Sequence, residues 1–257
     1  MDLQLHGRTA FVAASTGGLG LAIATALGNE GANVVVTGRR ADIARKVAAE
    51  LPSAIGVELD VTSTESRDRA LNTAEETFGT IDIMVLNGPG PPPGAAADMS
   101  TTDVSDAVEQ LVAPGQHFVS RVLPGMRSRR WGRVLAVGSS GIVEPLANLA
   151  SSNLGRAALA AYLKTLASEV ATDGVTVNLL LPGRIATDRV ASLDAAKAQH
   201  EGISREEVSR RSKQSIPAGR YGDPAEFGAA ATFLCSGPAS YLAGVALRCD
   251  GGLAKSL

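Results

Sequence analysis

Cysteine is scarce in this chain of 257 residues, which contains only Cys235 and Cys249. Their spacing is neither that of a metal site nor that of a disulfide framework. Two thiols in a reducing compartment usually stay free, so we expect free cysteines, and we predict no metal site.

The chain also lacks an excess of charge and long apolar runs. It has 24 Lys and Arg against 26 Asp and Glu, a net charge of −2, and charged residues make up 19%. This balance gives no electrostatic reason to expect nucleic acid or an anionic membrane as a partner. No run approaches the roughly 18–20 apolar residues of a membrane span, and the start, MDLQLHGR, is not an apolar signal stretch. We expect a soluble, cytoplasmic protein.

The residues that are present alternate between short β-branched runs and longer alanine-rich stretches. A loop at 88–97 cannot be regular, because four prolines there lack an amide donor. Strands are predicted at 9–14, 33–38, 54–60, 81–87, 132–139, 175–182 and 245–250. Helices are predicted at 19–30, 41–51, 64–78, 102–128, 151–172, 188–198, 204–215 and 223–236.

This alternation predicts an α/β fold. Continuous apolar strands separated by helices are typical of a parallel sheet that helices cover on both faces. No linker or long-period repeat divides the chain. We therefore predict a single doubly wound domain over 1–257, with about seven strands.

A glycine-rich turn joins the first strand to the first helix. It reads Ser15-Thr16-Gly17-Gly18-Leu19-Gly20. Glycines at such a turn allow a pyrophosphate to approach the backbone, and the helix N-terminus supplies amide donors and a positive dipole. The turn therefore predicts a nucleotide site, although glycine clusters alone are weak evidence.

With these motifs the chain resembles the short-chain dehydrogenase/reductases over nearly its whole length, and in particular the 3-oxoacyl-carrier-protein reductases among them. Their turn T-G-x-x-x-G-x-G matches 13–20, with alanine at the first glycine position. The endings 219–224 and 250–252 are also similar to this family, whose fold is of the Rossmann type. The resemblance implies that these residues bind the cofactor: Ala14, Ser15, Thr16, Gly18, Leu19, Gly20, Asp60, Val61, Asn87, Gly88, Pro182, Gly183, Ile185 and Thr187.

The end of the second strand bears on which nicotinamide cofactor binds. An acidic residue there binds free ribose hydroxyls, whereas arginine accommodates a 2′-phosphate. The sequence has Arg39 and Arg40 at this point and no carboxylate. Arg39 therefore favours NADP(H) over NAD(H), the alternative being an arginine that is merely solvated.

The catalytic positions depart from the family pattern. The family uses serine, tyrosine and lysine, with an asparagine on the preceding helix. The aligned residues here are Ser139, Ser152 and Arg156, with the asparagine position near Leu111. Serine is shorter and far less acidic than a phenol of pKa about 10. Arg156 can hydrogen-bond a ribose but, with a pKa above about 12, cannot relay a proton.

Other side chains are weaker candidates. Glu144 could act as a general acid if burial raised its pKa, or lie exposed in a loop. Arg184 could hold a substrate carboxylate or phosphate, or point to solvent. We expect His117 and Tyr162 to be packing or surface residues, and Tyr221 to be structural.

Three functions remain open. The first is an NADP(H)-dependent oxidoreductase of a carbonyl or secondary alcohol with a non-standard proton donor. The second is a cofactor-binding pseudoenzyme or inactive partner subunit, and the third a non-redox lyase or isomerase.

The resemblance also implies a homodimer or homotetramer, with a hetero-oligomer as the alternative, and a substrate-covering segment around 187–217. The substrate is a small molecule, and an anionic one if Arg184 binds it.

Overall fold

The computed structural model describes residues 1–256, so Leu257, the last residue of the predicted domain, lies outside the described residues. Seven strands form one sheet in which every pairing is parallel, in the order β3-β2-β1-β4-β5-β6-β7. The predicted fold class is confirmed. The strands are β1 (Thr9–Val12), β2 (Asn33–Gly38), β3 (Ala54–Glu58), β4 (Ile83–Leu86), β5 (Gly132–Val137), β6 (Val175–Pro182) and β7 (Ala246–Cys249).

The strand order reverses direction between β1 and β4. The chain runs outward from β1 through β2 to β3 and then returns to place β4 on the other side of β1. In open parallel sheets a crevice forms at the carboxyl ends of the strands at such a switch point, and ligands bind there. The fold therefore places the glycine-rich turn after β1 at the edge of this crevice.

Helices cover both faces of the sheet because side chains alternate along each strand. In β1, Phe11 packs on one face with Phe118, while Val12 packs on the other with Ile23 and Phe227. The helices are α1 (Gly18–Asn29), α2 (Ala41–Ala48), α3 (Thr64–Phe78), α4 (Thr101–Leu111), α5 (Ala113–Ser128), α6 (Ala150–Val170), α7 (Asp188–Glu201), α8 (Arg205–Gln214) and α9 (Pro224–Leu234). The first face carries α3, α5 and α6, and the second carries α1 and α9.

One predicted helix is wrong. The stretch 102–128 is two helices, α4 and α5, separated at Val112. Pro114 lies in the first turn of α5 and has no amide proton to continue the hydrogen-bond ladder of α4. Proline is tolerated in a first turn, so the chain ends one helix and begins another.

Within residues 1–256, no helix combines the length and the apolar composition that crossing a bilayer requires.

Candidate active site

Buried hydrogen bonds between side chains and the backbone hold the turn after β1. The buried hydroxyl of Ser15 donates to the carbonyl of Val12 at 2.7 Å and accepts from the amide of Thr37 at 2.9 Å. The hydroxyl of Ser15 is therefore used by the turn itself, and the predicted contact of this residue with a cofactor stays a prediction. Thr37 completes the link, since its hydroxyl donates to Val12 at 2.9 Å and accepts from Ala14 at 3.0 Å.

Asn87 ties the end of β4 to the same turn. Its Nδ2 donates to the carbonyls of Ala13 at 3.2 Å and Ala14 at 3.0 Å. Gly20, in the first turn of α1, packs against the Ala14 carbonyl and the Asn87 amide. A Cβ atom at position 20 would lie 2.4 Å from the oxygen of Ala14 and 2.7 Å from Nδ2 of Asn87. Only glycine fits at position 20. Sequence reasoning identified both residues, but as cofactor contacts rather than as supports of the turn.

Gly17 and Gly18 form the open part of the turn. A Cβ atom at Gly17 would meet nothing within 4 Å, and one at Gly18 would meet only Cγ2 of Thr187, at 4.0 Å. The first turn of α1 carries no acidic side chain. Bare backbone before a helix N-terminus suits an anionic pyrophosphate. The residues present therefore fit the phosphates of a dinucleotide, with Leu19 half-buried beside them.

The end of β2 is followed by an exposed cation. Arg39 is exposed directly after β2, and Thr16 packs against Gly38 beside it. Asp60 accepts from the amide and the hydroxyl of Thr62 at 2.9 and 2.7 Å. These bonds, and more weakly the charge of Arg39, lower the pKa of Asp60. Val61 beside it is buried.

The segment after β6 approaches the turn from the opposite side. The amide of Gly183 donates to the carbonyl of Cys249 at 3.0 Å, and Ile185 is buried beneath the segment. The backbone pairs with Gly222 through Arg184 and Ala186, at 2.9 Å each. These contacts bring Thr187, a few residues beyond Pro182, against Gly18.

Ser139 follows β5 and keeps its proton free. Its Oγ accepts from the amide of Gly141 at 3.1 Å. Asn153 fixes the next loop, since its Nδ2 donates to the carbonyl of Leu146 at 2.8 Å. Asn153 was missed by the sequence analysis, because its partner is a backbone group that no motif reveals. The neighbouring Ser152 is half-buried in the first turn of α6.

Arg156 reaches the end of β5. Its Nη1 donates to the carbonyl of Val137 at 2.9 Å and lies 3.4 Å from that of Gly138. Burial lowers the pKa of Arg156, and the nearby charge of Arg189 lowers it further. Part of the guanidinium that was predicted to hold a ribose thus supports the strand that leads to Ser139.

The asparagine position of the family carries no polar group here. Leu111 is buried at the end of α4 and packs against Gly155, where a Cβ atom would lie 2.7 Å from its Cδ1. A cavity of about 40 Å³ lies beside it, between Gly88, Leu111 and Arg156. An apolar side chain cannot hold a water chain in that direction.

Glu144 and Arg184, the two candidates for substrate or proton contacts, are bound to other parts of the protein. Glu144 accepts from the amides of Lys255 and Ser256 at 2.8 and 2.9 Å, and these bonds lower its pKa. The condition for a general acid, a pKa raised by burial, is therefore not met, because two backbone amides bind the carboxylate. Arg184 donates to Asp194 at 2.6 Å, so its charge is already neutralised. Asp194 is buried and also accepts from the hydroxyl of Tyr221 at 2.6 Å.

His117 and Tyr162 lie on helices that pack against the sheet. His117 lies 3.0 Å from Asp68 between α5 and α3. Tyr162 is partly buried in the core, and burial raises its pKa. Cys235 and Cys249 are free thiols. Within residues 1–256, no cluster of three or more His, Cys, Asp or Glu side chains is arranged to hold a metal ion.

The chain is similar to known proteins along nearly its full length. Residues 13–254 match the family model described as enoyl-(acyl carrier protein) reductase. The chain is 32% identical to a 3-oxoacyl-(acyl-carrier-protein) reductase of Aquifex aeolicus, with 98% of this chain and all of that protein covered. It is 34% identical to a D-beta-hydroxybutyrate dehydrogenase of Cupriavidus necator, with 97% and 98% covered.

A solved structure agrees in fold. The L-sorbose reductase of Gluconobacter frateurii, solved in complex with NADPH and L-sorbose, superposes with a TM-score of 0.93 at 29% identity and covers both chains completely. The crevice described above lies at the strand ends that this parallel sheet shares with it. The chain therefore belongs to the short-chain dehydrogenase/reductase family of oxidoreductases, and within it resembles the 3-oxoacyl-carrier-protein reductases.

Proposed function

We propose that this protein is an NADP(H)-dependent oxidoreductase that interconverts a carbonyl and a secondary alcohol, with 1–257 as one cofactor-binding domain. The observation that carries the proposal is the open cradle at Gly17 and Gly18, which lies between Asn87 and Thr187. When bound there, the nicotinamide cofactor supplies or accepts a hydride. NADPH is also the cofactor in the complex of the similar L-sorbose reductase.

Arg39 supports the choice of NADP(H). Its guanidinium is exposed at the end of β2, where a 2′-phosphate would extend from the ribose. A phosphate accepts charge-assisted hydrogen bonds from a guanidinium, which a free hydroxyl cannot match. Asp60 already accepts two hydrogen bonds from Thr62, so its carboxylate is engaged next to this position.

Ser139 is the group that contacts the substrate oxygen in this proposal. Because its Oγ accepts from Gly141, its hydroxyl is free to donate a hydrogen bond to a carbonyl oxygen. Arg156, held on Val137, places a positive charge beside the developing alkoxide. Preorganised donors and charges of this kind account for much of enzymatic rate enhancement.

The proton comes from water in this proposal. Ser152 has an alcohol where the family has a phenol, and Arg156 stays charged at neutral pH even with its lowered pKa. Glu144 is bound to the C-terminal backbone. A solvent molecule between Ser139 and Ser152 is the remaining donor.

The departures at Ser152 and Arg156 favour one alternative, a subunit that binds the cofactor without turnover. The distinguishing experiment measures NADPH and NADH binding by nucleotide fluorescence, followed by NADPH consumption across a panel of ketones and aldehydes. We expect tighter binding of NADPH, a loss of that preference in Arg39→Gln but not in the exposed Arg45→Gln, and measurable turnover. Tight binding without turnover on any carbonyl would favour the non-catalytic subunit.

We further propose that the protein is a homo-oligomer in which the exposed side of α4 contacts a second copy. Val104 and Val108 lie one helical turn apart on that side, each 40% exposed. Exposed β-branched residues at this spacing form an apolar stripe. Light scattering of the wild type and of Val108→Lys tests this assembly, and a monomeric wild type would exclude it.

A further inference from the structure

Two arginine side chains, those of Arg156 and Arg189, lie close to Gly90. A Cβ atom at Gly90 would lie 3.9 Å from Nη2 of Arg156 and 3.9 Å from Nη2 of Arg189. The two guanidinium groups therefore lie no more than about 8 Å apart. Arg156 comes from α6, Arg189 from the first turn of α7, and Gly90 from the proline-rich loop after β4.

Helices α7 and α8 lie within the predicted substrate-covering segment 187–217, and we call them the lid helices. Most other arginines near them have a carboxylate partner, whereas this pair has none within residues 1–256. Arg184 is paired with Asp194, and Glu207 binds both Arg210 and Arg211. The charged group that acts on Arg156 is instead Arg189, a like charge that lowers its pKa. Two cations this close repel each other, and an anion between them would remove that cost.

The contacts of Arg156 place one half of the pair at the end of β5. Nη1 of Arg156 binds the carbonyl of Val137 and lies 3.4 Å from that of Gly138, the residue directly before Ser139. The open cradle for phosphates is at Gly17 and Gly18, and the exposed Arg39 lies farther along the crevice, after β2. An anion bound to Arg156 would therefore lie near Ser139, so it could belong to the molecule that Ser139 contacts.

We propose that Arg156 and Arg189 bind the carboxylate of the substrate, so that the protein acts on oxo acids or hydroxy acids. This inference rests on the proposed function and names its substrate class. Arg156 is the fixed half of the site, because backbone carbonyls hold its guanidinium at the end of β5. Arg189 is exposed and approaches from the lid segment, so it can close on a bound carboxylate.

The lysine of the family could not form the same site. A guanidinium has five donors in a planar fork, so Arg156 can bind the end of β5 through one nitrogen and offer the other to a ligand. An ammonium group has three donors on one nitrogen, so it cannot offer two parallel donors to a carboxylate while it binds the end of β5. The substitution at position 156 thus adds a binding function while it removes a proton relay.

The test compares acids with their methyl esters. Acetoacetate, levulinate and the methyl ester of each are titrated by calorimetry into the protein with and without saturating NADP⁺. Charge-assisted hydrogen bonds are about twice as strong as neutral ones, so we expect at least one acid to bind tenfold or more tightly than its ester. Arg189→Gln should lose that advantage, whereas Arg205→Gln, which removes a charge from an exposed residue of α8, should keep it.

The outcomes separate this inference from the proposed function. Equal binding of acid and ester, or equal losses in Arg189→Gln and Arg205→Gln, would overturn the carboxylate site whether or not NADPH binds. Competition between acetoacetate and NADPH, with weaker NADPH binding in Arg189→Gln, would assign the arginines to a cofactor phosphate and also overturn it. Acid-selective binding without NADPH turnover would support the site and contradict the reductase. Arg189→Lys, which retains one charge, should recover part of the acid affinity.

Discussion

The side-chain amide of Asn87 donates to the carbonyl oxygen of Ala14 at 3.0 Å, and so joins the end of β4 to the turn after β1. Ala14 has a left-handed backbone with φ 48°, at the position where the family carries glycine. A residue with a Cβ atom is disfavoured in that conformation by roughly 1–2 kcal/mol. The hydrogen bond holds this strained residue in place.

Replacing Ala14 by glycine should therefore stabilise the protein. The relief of the left-handed strain exceeds the added flexibility of the unfolded chain, so we expect the free energy of unfolding to rise by about 0.5–1 kcal/mol in urea denaturation. Ala13→Gly is the control, because Ala13 is buried and has no positive φ. It should destabilise, and a rise in both variants would contradict the account.

Asp194 should anchor the lid helices to the core. It is the shared acceptor of Arg184 and Tyr221, at 2.6 Å each. Asp194→Asn removes the charge and should expose 187–217 to limited proteolysis several-fold faster, because breaking a largely buried pair leaves Arg184 without its partner. Tyr221→Phe removes a single hydrogen bond and should have a smaller effect. Equal cleavage rates in all three proteins would show that the network does not hold the lid.

Restoring the family residues tests where the proton comes from. The double variant Ser152→Tyr with Arg156→Lys regains a phenol and an ammonium, and general acid catalysis contributes about 10²–10⁴-fold. We expect kcat for carbonyl reduction to rise at least tenfold for a neutral ketone. Ser152→Phe supplies the ring without the hydroxyl and should give no such rise. An increase in Ser152→Phe as large as in the double variant would point to packing instead.

Glu144 should behave as an anchor for the C-terminal segment. Its bonds from Ser256 and Lys255 lower its pKa, so it favours the folded contact above its unfolded pKa of about 4.3. That contribution is lost as the pH falls through the lower, folded value. The amide chemical shifts of Lys255 and Ser256 should therefore titrate below about 4.3 in NMR spectra.

A variant separates this structural role from catalysis. Glu144→Gln should abolish the titration of those amides and leave kcat/KM for carbonyl reduction within about twofold, because no substrate proton passes through the carboxylate. A large loss of kcat with unchanged KM would instead restore Glu144 as a proton donor.

Much of the architecture was predictable because it depends on local pattern. Strand and helix order follows from runs of apolar residues and from turn glycines, and the glycine-rich turn was located correctly. The break between α4 and α5 was missed although Pro114 marks it, because a proline does not always end a helix, and Pro124 lies inside α5. The shared network of Asp194 and Tyr221 was missed because those residues lie 27 positions apart.

The sequence by itself determined the parallel α/β fold and the family, and it predicts serine and arginine, at 152 and 156, in the positions of the family's tyrosine and lysine. Only the tertiary structure decided which charged groups are free. Arg184 and Arg189 lie five residues apart and look alike in the sequence, yet one is paired with Asp194 and the other faces Arg156. The physical reason is that an ion pair depends on which segments the fold brings within a few ångströms, and residue type alone does not contain that information.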